Sequence, residues 1–178
     1  MNYVLIMTEG SDELSFINVL IDRGILKFNK EQLLMEEIYH ARQITGQLIG
    51  NIQSLPIGDT VNIYRIGDKL SDKLKIPKEI LPEKINCKYD ISTTPEFEIL
   101  FLLNENLYDD YMKVKSFKKP SEYYKEYNRK YKKQASFVKE CFNSMTNEEI
   151  INLINLYVKK HGKSHKDNQL TLKEIINC

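Results

Sequence analysis

The chain has 178 residues, 42% hydrophobic and 29% charged, the composition of a soluble globular protein able to bury one real core. No apolar run approaches the length of a membrane span, and no basic stretch precedes the apolar N-terminal run as in a signal peptide, so a membrane partner is not expected. The net charge of +1 hides a split: residues 113–139 hold nine Lys and one Arg against Glu122 and Glu126, a local net of +8, which leaves −7 elsewhere. One part of the chain favours polyanions, while another can hold cations. Cys87, Cys141 and Cys178 are odd in number and lack metal-ligand spacing, so they read as reduced thiols in a cytoplasmic protein.

The opening "NYVLIMTEG" is a continuous apolar run ending in glycine, the signature of a strand buried on both faces of a largely parallel sheet. "SDELSFINVLIDRG" then predicts a helix of about three turns, with Ser11 as N-cap, Phe16, Ile17, Leu20 and Ile21 on one side, and Gly24 as stop. "EQLLMEEI" fits either a short strand or the start of a long helix; strand followed by helix is the preferred reading, with Ile44, Leu48, Ile49 and Ile52 at helical spacing before Pro56. "DTVNIYRIGD" is a β-branched strand and "KINCKYDIST" a weaker one. "TPEFEILFLLNENLYDDYMK" predicts one helix, with Pro95 near its first turn and acids early, where the helix dipole favours them.

Beyond Pro120, "SEYYKEYNRKYKKQASFVKECF" predicts a single basic amphipathic helix. Tyr124, Tyr127, Tyr131, Ala135, Val138 and Phe142 fall on one face, and Lys125, Arg129, Lys132 and Lys139 on another. "TNEEIINLINLYVKKHG" carries a capping box, Thr146 with Glu149, and predicts a further helix; "TLKEIINC" predicts a short last one. The fold class expected is therefore α/β, a mostly parallel Rossmann-like sheet flanked by helices, with a helical C-terminal region.

Several acids share a location in this scheme. Glu9 and Asp68 each end a strand beside a glycine, Glu13 follows within one helical turn, and Glu98 lies in "TPEFE". Ligands of open parallel sheets bind beyond the carboxyl ends of the strands, so adjacent strands would bring Glu9 and Asp68 together. Converging carboxylates repel unless a cation lies between them, and hard oxygen donors suit Mg²⁺ or Mn²⁺. Asp12 and Glu96 read instead as acids that complement a helix dipole and face elsewhere.

"IMTEGSDE", "IYRIGDKLSD" and "TTPEFEILFLLNE", in that order over about residues 3–105, resemble the Toprim superfamily. They are most similar to its small defence-associated members, the RloB-like and abortive-infection proteins related to the OLD-family nucleases. The resemblance implies a Toprim-like domain at 1–112 and a basic helical region at 113–178 packed on it. It implies a Mg²⁺-dependent endonuclease, or the nuclease component of a phage-defence system, cleaving DNA or RNA. Glu9 would be the general acid/base or a metal ligand, Asp68 a metal ligand, and Glu13 and Glu98 would assist. The family's second motif has two aspartates two residues apart, whereas position 70 here is Leu; either Asp72 substitutes as a ligand or the second ligand is absent. The reading from another class is a non-catalytic subunit or nucleic-acid sensor working beside an ATPase partner.

Lys125, Arg129, Lys132 and Lys133 could track a phosphate backbone, or form a solvated helix face. The nearby tyrosines read as core, because they form an apolar stripe. "HGKS" at 161–164 lacks the preceding strand and glycine of a phosphate-binding loop, and His161 with His165 has no partner acids that would make a zinc site.

Overall fold

In the computed structural model of the chain, the described residues are 1–67, 74–93, 96–132, 134–161 and 170–177. Four strands, β1 (Asn2–Thr8), β2 (Leu33–His40), β3 (Thr60–Gly67) and β4 (Ile85–Ser92), form one sheet in the order β2-β1-β3-β4. All three pairings are parallel, and they end level: Thr8 lies opposite both His40 and Ile66, and Gly67 opposite Ser92. The ambiguous "LLMEEI" is thus a strand. It is an irregular one, with a register shift opposite Val4–Ile6 and positive φ at Met35 and Glu36.

The sheet is covered on both faces, as the unbroken apolar run of β1 requires. Leu5 and Met7 point to one core with Val61, Ile63, Leu34 and the buried face of α2 (Gln47–Gln53). Val4 and Ile6 point to the larger core beneath α1 (Ser11–Asp22), shared with all the later helices. Helix α1 begins one residue earlier than a Ser11 cap requires: Gly10 is the N-cap, in extended conformation, and Ser11 is the first helical residue. Its end is as read. Gly24 takes φ +66°, its N–H bonds Ile21 and that of Ile25 bonds Leu20, a closure that needs the left-handed region where glycine has no steric penalty.

Two predicted helices are each broken in two. The stretch predicted as one helix, 94–113, gives α3 (Ile99–Asn104) and α4 (Tyr108–Val114), with Glu96 and Glu98 ahead of the helix rather than inside it; Thr94 and Pro95 lie outside the described residues. Asn106 is the cause: it adopts φ +57°, its N–H bonds Leu103, and the N–H of Leu107 bonds Leu102. Asparagine tolerates this conformation and so ends the helix as Gly24 ends α1.

The basic helix divides into α5 (Pro120–Tyr127) and α6 (Ala135–Asn143). Asn128 breaks it by accepting the Lys130 N–H on its side-chain oxygen, a local turn that competes with the helix ladder. The tyrosine stripe breaks with it, since Tyr127 is 59% exposed and Ala135 is exposed, while Tyr124, Tyr131, Val138 and Phe142 are buried. Helix α7 (Asn147–His161) follows, with the Thr146–Glu149 capping box formed from both sides. "TLKEI" forms a single 3-10 turn, Leu172–Ile175, and the chain ends against Leu26 through an antiparallel bridge from Ile176.

The C-terminal helices complete the core that the sheet and α1 begin. The ring of Phe142 of α6 packs tilted against Phe16 of α1 at 4.4 Å and reaches Phe97 and Phe101, whose ring lies 5.3 Å from Tyr124 of α5. Arg23 locks this seam by donating to the carbonyls of Phe142 and Met145 at the end of α6, where a cation also suits the helix dipole. Phe142→Ala is accordingly expected to cost about 3–5 kcal/mol and to lower one transition for the whole chain in a denaturant melt. Two transitions, with only one displaced, would show that residues 1–112 and 113–178 fold separately.

Candidate functional site

The strand order reverses between β1 and β3: the chain leaves β1 towards β2 on one side and returns to β3 on the other. In open α/β sheets this switch point, at the carboxyl ends of the strands, is where a crevice opens. Glu9 stands there. Its N–H bonds the Ile66 carbonyl of β3, and its own carbonyl accepts from the His40 ring at 3.1 Å. Its carboxylate lies directly on Gly67, where a Cβ would sit 2.5–2.7 Å from the Glu9 side chain. Gly10 makes equivalent room for the carboxylate of Glu13. The two glycines of "TEG" and "RIG" therefore serve the carboxylates packed against them.

Glu9, Asp12, Glu13, Glu96 and Glu98 line one cavity of about 370 Å³, whose other polar walls include Arg42, Lys119 and Ser121. Asp12, Glu13 and Glu98 are 3%, 8% and 3% exposed, so these acids are recessed rather than displayed on the surface. Glu13 accepts from Thr93, just past β4, at 3.4 Å, and the Thr93 N–H bonds the Gly67 carbonyl. Glu98 accepts from the Tyr131 hydroxyl at 3.4 Å. Residues just past β1 and β2, the first turn of α1, the segment ahead of α3 and the start of α5 line this cavity, while Thr93 past β4 and Tyr131 between α5 and α6 bond two of its acids.

Glu9, Glu13 and Glu98 are thus brought together. Asp68, which follows Gly67 in the chain, and Asp72 lie outside the described residues. Among the described residues, no three acidic, histidine or cysteine side chains gather about one point as a ready metal site. The donors lining the cavity are nonetheless all hard oxygens, the type that suits Mg²⁺ or Mn²⁺ rather than softer ions.

Asp12 and Glu96 depart from expectation. Both line the cavity with the other acids instead of facing elsewhere. Glu96 does so because it precedes α3, where helical spacing does not apply. The sequence did not single out as site residues Arg42, Lys119 and Ser121, which line the cavity, or Thr93 and Tyr131, which bond its acids, since they come from parts of the chain far from the glutamates they meet or outside any motif.

Of the basic residues, Lys125, Arg129 and Lys132 line a second groove of about 490 Å³, together with Ser121, Glu122 and Tyr131. All three are exposed, and Lys133 lies outside the described residues. Ser121 lines both hollows, and Tyr131 lines the groove while its hydroxyl bonds Glu98 in the cavity. A basic groove and an acidic cavity are therefore contiguous.

No family model, no curated protein and no solved structure matches this chain. Among the described residues, no helix is long and apolar enough to cross a membrane.

Burial holds the Tyr131 phenol well above its ordinary pKa, and the neighbouring Glu98 and Asp12 carboxylates push it further up. Burial likewise raises Tyr124, Tyr111, Tyr108 and Tyr64. These phenols keep their protons in the folded chain but lose them near pH 10 once unfolded. Stability is therefore full below that pH and falls as pH rises past it. Urea melts between pH 9 and pH 11.5 (roughly, bracketing the ordinary tyrosine value) should show this decline, with a shallower slope for Tyr131→Phe.

Proposed function

We propose that the chain is a metal-dependent nuclease of Toprim type, acting on phosphodiester bonds of DNA or RNA, alone or as the nuclease component of a phage-defence system. The observation that carries this reading is the contiguity of the two hollows: an acidic cavity at the switch point of the sheet opens, through Ser121 and Tyr131, onto a groove lined by Lys125, Arg129 and Lys132. The resemblance of "IMTEGSDE" and "TTPEFE" to the Toprim motifs supports it, and so does the adjacency of β1 and β3, which the motif pair demands.

Glu9 and Asp68 would hold Mg²⁺ or Mn²⁺, with Asp72 as a further candidate ligand. Such an ion, when bound, neutralises phosphate charge and acidifies water. The chain's own residues supply the rest. Glu9 is fixed in place by Gly67 and by its backbone bond to Ile66; if it is not a ligand, its carboxylate would act as the general acid/base. Thr93 orients Glu13, and Tyr131 orients Glu98. Lys125, Arg129 and Lys132 neutralise successive phosphates and hold the strand against the cavity mouth.

Isothermal calorimetry with Mn²⁺ tests the reading. The wild type should bind, Glu9→Gln and Asp68→Asn should each abolish binding, and the same two variants should lose cleavage of DNA and RNA substrates. Gly67→Ala should weaken Mn²⁺ binding by about tenfold, the order of effect of altering a group that supports a ligand, because the added Cβ displaces the Glu9 carboxylate. A folded wild type that binds no divalent ion would remove the stand-alone enzyme. Leu70, in place of the second motif's later aspartate, would then favour the second reading, a Toprim-like subunit or nucleic-acid sensor beside an ATPase partner.

A further inference from the structure

The acidic cavity poses a charge problem for its proposed substrate. Five carboxylates line it, and a phosphodiester is itself anionic. Electrostatic stabilisation at such a site needs fixed positive charge aimed at the phosphate. Among the described residues lining the cavity, Arg42 and Lys119 are the cations.

Their setting fits that task. Arg42 lies just past the end of β2 and Lys119 just before α5, so the two come from elements far apart in the chain. Both are exposed, and no ion pair among the described residues holds either one. Lys118, next to Lys119, is by contrast held by Glu126 at 2.7 Å. Lys119 is followed by Pro120 and then by Ser121, the residue shared with the basic groove.

We infer that Arg42 and Lys119 are the substrate-positioning cations of this site, holding the phosphates that flank the scissile bond while the strand runs on past Ser121 into the Lys125–Arg129–Lys132 groove. This assignment rests on the nuclease reading above. Arg42 provides the planar fork that matches two phosphate oxygens, and Lys119 a point charge at the entrance to the groove.

Substitution at either position leaves the local fold in place. The α5 start is held by the Lys119 backbone N–H to Glu122 and by Pro120, not by the lysine ammonium. No hydrogen bond of the fold uses the Arg42 side chain among the described residues.

The test uses the full-length chain and fluorescence anisotropy of labelled DNA and RNA oligonucleotides, with Ca²⁺ in place of Mg²⁺, together with Mn²⁺ calorimetry on the same proteins. Arg42→Ala and Lys119→Ala should each weaken oligonucleotide binding about tenfold and reduce the salt dependence by about one counterion. Mn²⁺ affinity should stay unchanged or tighten, because a cation that repels the metal has been removed. A merely structural role would instead weaken Mn²⁺ and oligonucleotide binding together, and that result overturns the assignment. So does oligonucleotide binding that neither substitution alters. A wild type that binds Mn²⁺ and oligonucleotide separates these failures from failure of the nuclease reading, which would remove both kinds of binding at once.

Discussion

The aromatic seam between α1 and the C-terminal helices is the contact on which the remaining architecture depends. Phe16, Phe97, Phe101, Tyr124, Tyr131 and Phe142 pack in a continuous cluster, mostly edge-on or tilted, with ring centroids 4.4 to 6.2 Å apart. Aromatic pairs contribute beyond their buried area, and they do so only in particular orientations. The cluster therefore fixes direction as well as proximity. Phe16 lies one turn beyond Asp12 and Glu13, Phe97 sits between Glu96 and Glu98, and Tyr131 ends in the hydroxyl that bonds Glu98. Phe97 of this seam also lines the acidic cavity.

That arrangement explains how a small fold keeps several carboxylates close to one another. Asp12 and Glu13 occupy the first turn of α1, where the helix dipole offsets part of their charge. Glu13 and Glu98 each accept a hydroxyl hydrogen bond. Two glycines remove the Cβ atoms that would collide with Glu9 and Glu13. The overall charge of +1 is the sum of an acidic hollow, a basic groove and the remaining surface.

The structure also shows how asparagine punctuates this chain. Asn106 ends α3 through a left-handed backbone, and Asn128 ends α5 through its side-chain oxygen. Each break has a consequence at the site. The first separates two short helices whose buried residues, Leu102 and Tyr108, both join the main core. The second creates the bend that carries Tyr131 inward and leaves Arg129 and Lys132 facing the groove. A continuous helix would present Tyr131 on the same face as Tyr127, which solvent reaches.

The α/β class, the parallel strands, the first helix with its glycine stop and the capping box of the last long helix were determined by the sequence itself, because each rests on a local pattern: apolar runs, helical spacing, or a polar residue at a fixed offset. The grouping of Glu9, Glu13 and Glu98 was legible for the same reason, through strand ends and the order of three short motifs. Position in space was not. Whether β1 lies beside β3, whether Glu96 joins Glu98, and which cations meet the acids depend on contacts between residues far apart in the chain. Arg42 and Lys119 are 77 positions apart in the chain, and nothing near either one marks it. Side-chain periodicity also gives no warning where a single asparagine prefers a local turn to the helix ladder, since that competition is settled by the burial of the residues on either side. The tertiary structure decided those points, through packing that no short stretch of the chain contains.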